Sequence, residues 1–218
     1  MEDSAPSALT GELENIGRSI RETLSLKNIA RDSALTQSRT LIRLCANTIR
    51  AIHREDSEQA QELLSQATEA AASLRTSVFD DHDLYHAGYT QDGLKEFVEA
   101  NVLMALVDEV PLPTPEALQV EAATYLKGLA EAATELRRRT LDIIRNDHLD
   151  EAERLLDAMD EIYTLLVTID FPDAITRGLR RNTDVLRSVV ERTRGDLTIS
   201  LRQQRLQEAL RKLEGRVA

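Results

Sequence analysis

A single cysteine, Cys45, means that no internal disulfide can staple this chain of 218 residues. Tryptophan is absent and aromatic residues make up only 3%. Eight glycines and five prolines are few for this length. No stretch alternates apolar and polar residues long enough to suggest a sheet. No apolar run approaches the ~20 residues of a membrane span, and no leader signature opens the chain. A soluble cytoplasmic protein with no membrane partner is expected. Cys45 falls in an apolar helical stretch and reads as a small core residue.

Positive charge is also short. The net charge is −11, and of 27 basic residues only four are lysine: Lys27, Lys95, Lys127 and Lys212. That balance argues against a basic outer surface for nucleic acid. The remaining basic residues are arginine, whose planar fork suits phosphate better.

What is abundant is Leu, Ala, Glu and Arg, which favour helices, and a hydrophobic share of 42% is enough for a core. The reading is all-α: a disordered segment over residues 1–8, then one domain of six or seven helices over residues 9–218. Apolar residues at steps of three and four (Leu13, Ile16, Ile20, Leu24, then Leu41, Leu44, Cys45, Ile49, Ile52) predict one long helix, or two with a break near Ser25 to Asn28. Ser57 is the expected N-cap of the next helix, with Leu63, Leu64, Ala67, Ala71 and Leu74 on its apolar face. Val78 to Tyr89 is irregular, and Thr90 is the expected cap of the helix that follows. That helix stops before Pro111. Thr114 with Pro115 at the first helical position opens a further helix to about Asn146. Helices from about Asp150 to Val167 and from about Pro172 to Leu213 complete the chain, the last with a candidate interruption at Gly195.

The stretch Gly93 to Ala100 carries the most chemistry. Glu96 and Glu99 share one helix face, and the run Val102 to Val107 behind them has no polar side and is expected to be buried all round. Carboxylates leading into a buried helix need a cation, a donor or a raised pKa. Glu131 and Glu135, four apart on the next long helix, share a face with Gly128 and Arg138. Carboxylates from two neighbouring helices can hold a divalent ion through oxygen. No histidine stands at ligand spacing with them, which disfavours zinc and the Glu-x-x-His di-iron pattern. Arg137 and Arg138 beside the acids, and Arg180 and Arg181 further on, are candidate phosphate contacts. His86 and Tyr89, with Tyr85, are candidates to stack on unpaired bases.

Three stretches resemble the translin family, most of all the type of its catalytic partner, translin-associated factor X, in an archaeal or prokaryotic-like version. They are Ala30 to Ile42, the acidic segment Gly93-Leu94-Lys95-Glu96-Phe97-Val98-Glu99-Ala100, and Tyr125-Leu126-Lys127-Gly128-Leu129 through Leu136. The resemblance implies a helical bundle that assembles into a hollow homo-oligomer, an octamer. It implies an endoribonuclease dependent on Mg²⁺ or Mn²⁺ that cuts single-stranded RNA, with single-stranded DNA as a further ligand. Carried over by position, Glu96, Glu99 and Glu131 are the catalytic, metal-binding acids, with Glu135 the fourth. Glu131 departs from the family pattern, where this position is Asp. That departure keeps open a protein that binds RNA or DNA without cutting it. A metal- or partner-binding bundle with no nucleic-acid role is a further alternative.

Overall fold

The computed structural model describes residues 8–217. The expected disordered segment lies outside the described residues apart from Ala8, which already opens a helix. In chain order the helices are α1 (Ala8–His53), α2 (Ser57–Ser77), α3 (His82–Tyr85), α4 (Gly88–Val107), α5 (Pro115–Leu118), α6 (Ala122–Arg145), α7 (Leu149–Val167), α8 (Asp173–Thr176) and α9 (Leu179–Val217). Among the described residues there is no strand. Six helices are long; α3, α5 and α8 are single turns.

Several boundaries differ from the sequence reading, each for a local reason. α1 is unbroken through Ser25 to Asn28, where no glycine or proline interrupts it. Asp56, not Ser57, caps α2; its carboxylate accepts from the Gln59 amide at 3.2 Å. Thr90 does not cap α4, which starts at Gly88; its buried hydroxyl donates instead to the Leu84 carbonyl at 2.7 Å. Thr114 does cap at Pro115, but Gln119 turns left-handed (φ 53°) and ends α5 after one turn, so α6 begins afresh at Ala122. Arg177 (φ 50°) and Gly178 (φ 90°) likewise separate α8 from α9. Gly195 does not break α9; an isolated helical glycine costs only about 1 kcal/mol relative to alanine.

α4 is the central helix, packed on α1, α2 and α6, while α6 packs on α7 and α9. Leu94, Phe97 and Val98 are buried, but the run expected to be buried all round is so only in part: Val102, Leu103 and Ala105 are buried, while Met104, Leu106 and Val107 are half-buried against the core. Its polar residues are tied in: Gln91 Nε2 donates to the Tyr85 carbonyl at 2.8 Å and Gln91 Oε1 accepts from the Thr124 hydroxyl at 2.5 Å. Cys45 is fully buried on α1, as expected. Not every apolar stripe finds cover. Leu9, Leu13, Ile16, Ile20 and Leu24 on the first part of α1 are each more than half exposed, and Leu206, Leu210 and Leu213 at the end of α9 are about as open. None of the described helices is long and apolar enough to cross a membrane.

Candidate metal centre

The acidic residues meet because α4 and α6 come unusually close. A Cβ at Gly128 would lie 2.6 Å from Val98 Cβ and 2.8 Å from the Lys95 carbonyl oxygen, so the crossing requires glycine there. Glu131, one turn further along α6, is thereby set against Glu96 and Glu99 on α4. One carboxylate oxygen from each of Glu96, Glu99 and Glu131 lies within 4.8 Å of the others. Glu135 stands outside this triad. His53, at the end of α1 and with its side chain only 2% exposed, donates through Nε2 to Glu135 Oε1 at 2.6 Å. The other ring nitrogen, Nδ1, is buried with no partner.

Lys95 sits among the acids. Its ammonium donates to Glu96 Oε1 at 3.0 Å and also to Glu131 Oε2. Burial works to lower its pKa, but the bonds to Glu131 and Glu96 outweigh that and hold it above the ordinary lysine range. Glu99 is 9% exposed and makes no such bond. Burial, reinforced by the charges of Glu96 and Glu131, pushes its carboxyl up to about 8, so at neutral pH without metal it keeps its proton. Asn182 on α9 donates to Glu131 Oε1 at 3.1 Å. Lys95, Glu99, Glu131, Glu135 and Asn182 line a cavity of about 460 Å³ whose wall also carries Lys127 and Arg181. The Cys45 thiol, buried and facing the field of Glu96 and Glu99, is pushed far up and stays protonated.

Three oxygen donors on two rigid helices form a group that could hold a metal ion, and an all-carboxylate set suits hard cations such as Mg²⁺ and Mn²⁺ rather than zinc.

No protein-family model matches the chain. It is 30% identical over 194 residues to the uncharacterized protein MJ0175 of Methanocaldococcus jannaschii, covering 88% of this chain and 85% of that protein. AfC3PO in complex with duplex RNA is similar at a TM-score of 0.77 and 30% identity, covering 84% of this chain and 95% of that one. Apo-NeC3PO is similar in fold at a TM-score of 0.77 and 20% identity, covering 90% and 99%. The chain belongs to the translin/C3PO family.

Within this translin/C3PO member the other candidate residues are spread out. Arg181 reaches the acidic cavity, whereas Arg180 lines a separate cavity of about 660 Å³ beside Phe171 and Tyr163. Arg137 is held by Asp196 Oδ2 at 2.8 Å and Thr193 Oγ1 at 2.9 Å, clamping α6 to α9. Arg138 is exposed, on the same helical face as Glu131 and Glu135 by its spacing. His86 bonds the Arg177 guanidinium at 3.2 Å and approaches Glu121 at 3.5 Å. Tyr89 is partly buried, and its hydroxyl is enclosed without a partner. Sequence reasoning missed Lys95, His53 and Asn182. For Lys95 a signal existed: it stands one turn before Glu99 and beside Glu96. For His53, 82 positions from Glu135, none did.

Proposed function

We propose that the chain is a metal-dependent endoribonuclease that cuts single-stranded RNA inside a homo-oligomeric shell. The observation that carries this reading is the convergence of Glu96, Glu99 and Glu131 on one point. These three carboxylates would hold Mg²⁺ or Mn²⁺, which when bound polarises a phosphate oxygen and acidifies a coordinated water. Glu135, outside the triad and bonded to His53, would be the carboxylate that takes a proton from an attacking water. Lys127 and Arg181 on the cavity wall would hold the RNA phosphates. Family membership supports RNA as the polymer, since the similar AfC3PO is a complex with duplex RNA. The uncovered apolar stripes of α1 and α9 support assembly with further copies, which the resemblance would make an octamer. With −11 charges per chain, RNA binding needs basic groups gathered on the inner wall and acids facing outward.

A second reading, RNA or DNA binding without cutting, is favoured by one observation: Lys95 already pairs with both Glu96 and Glu131. Incubation of the full chain with single-stranded RNA, with Mg²⁺ or with chelator, separates the two. Metal-dependent cleavage that is lost in Glu96→Ala and Glu131→Ala establishes the nuclease. Cleavage that persists in both variants removes these groups from catalysis, and tight binding without cleavage at any metal concentration selects the second reading.

A further inference from the structure

Lys95 is bonded to two of the three acids that could hold a metal. Its ammonium bonds one oxygen of Glu96 and one of Glu131, two of the three carboxylates of the triad. Among the described residues it is the only cation within ion-pair distance of either. An ammonium and a divalent ion on these oxygens would repel each other and compete for the same lone pairs. Two ionised carboxylates beside a nearly buried third are costly to leave without any cation. The lysine stem is flexible, with three rotatable donors at its tip, and it lines the same cavity as Lys127 and Arg181.

We propose that Lys95 is a resident cation which the divalent ion displaces from Glu96 and Glu131, and that the freed ammonium turns into the cavity to bind an RNA phosphate. This rests on the metal-site reading above. Lys95 is then a positioning residue in the metal-free state and a substrate contact once the ion is seated. The exchange keeps the repulsion between the two acids partly offset before loading, so the site does not fall apart without metal. It also couples the two ligands. Metal frees a cation for RNA, and RNA stabilises the displaced lysine, so each raises the affinity of the other by the same factor.

The test is calorimetric titration of Mn²⁺ into the full-length wild type and into Lys95→Met, Lys95→Gln and Lys95→Arg, with circular dichroism to verify folding. The neutral variants should bind Mn²⁺ more tightly, on the order of tenfold, and gain more in melting temperature from the ion. Lys95→Arg, which keeps the competing charge, should bind no more tightly than wild type. In wild type, Mn²⁺ should strengthen binding of a non-cleavable 2′-O-methyl oligoribonucleotide; in Lys95→Met that enhancement should shrink. Equal or weaker Mn²⁺ affinity in both neutral variants overturns the displacement while leaving the metal site standing. No Mn²⁺ binding in any variant overturns the metal-site reading, and this inference with it. Tighter metal binding without any enhancement of RNA affinity in wild type overturns the phosphate role.

Discussion

Substituting Glu99 by glutamine removes a buried acid from between two charged neighbours, and the sign of the effect depends on pH. In the folded chain burial and the charges of Glu96 and Glu131 raise the Glu99 carboxyl from 4.5 to about 8. The folded state therefore holds this proton more tightly than the unfolded state. The stability that results is fully present below pH 4.5 and is lost as pH rises through about 8. The whole gap corresponds to roughly 5 kcal/mol, of which about 3 kcal/mol is already lost at pH 7. An amide at this position carries no charge at any of these pH values. Glu99→Gln should thus match wild type near pH 5 in chelator and exceed it by about 3 kcal/mol at pH 7. For a chain of this size that is about 6–12 °C in melting temperature. Thermal melts at fixed protein concentration across pH 5–9 measure the difference directly, and concentration must be held constant because assembly also shifts the midpoint. With Mg²⁺ the order should narrow or reverse, since the ion binds the ionised carboxylate that the variant lacks. Parallel melting curves for the two proteins in chelator across this range would refute the reasoning, because Glu99 would then be ionised in the free protein.

Other outcomes follow from the same geometry. Metal binding at pH 7 should release about one proton, supplied by Glu99, and the release should vanish above about pH 9; titrations in buffers of different ionisation enthalpy read this. Gly128→Ala forces a methyl against Val98 and the Lys95 carbonyl, so α4 and α6 must part. We expect a loss of about 1–3 kcal/mol in urea denaturation and weaker metal binding, because Glu131 moves with α6; unchanged values for both would show that the crossing has slack. Phe97→Ala empties the centre of the buried α4 face and should cost about 3–5 kcal/mol by the same assay, with no selective effect on the pH profile.

Much of the core was legible beforehand, for physical reasons that can be named. The run behind Glu99 lacks a polar side, and α4 packs on three helices, although Met104, Leu106 and Val107 near its end keep one side partly open. Thr114 and Pro115 announced a helix start through capping and a fixed φ, and that start is where it was expected. The stop after one turn was not legible, because Gln119 and Arg177 adopt left-handed φ that sequence rules reserve for glycine or asparagine. Three of the four candidate acids come together, since helical spacing fixes which residues share a face. The bond that draws Glu135 to His53 joins distant positions and leaves no periodic trace. Periodicity also gave the same pattern for the buried and the bare parts of α1. It reports that a stripe exists, not what covers it.

The bare part of α1 carries a further implication. A rod of 46 residues, about 69 Å at 1.5 Å per residue, is anchored to the rest of the chain mainly beyond Ala30. A water-exposed helix of some twenty residues with no tertiary support is marginal in isolation. Its winding is therefore tied to whatever lies alongside it, and folding of that arm and association of subunits become a single equilibrium. Dilution should cost the protein ellipticity and mass together, at one midpoint, before the bundle around α4 begins to melt.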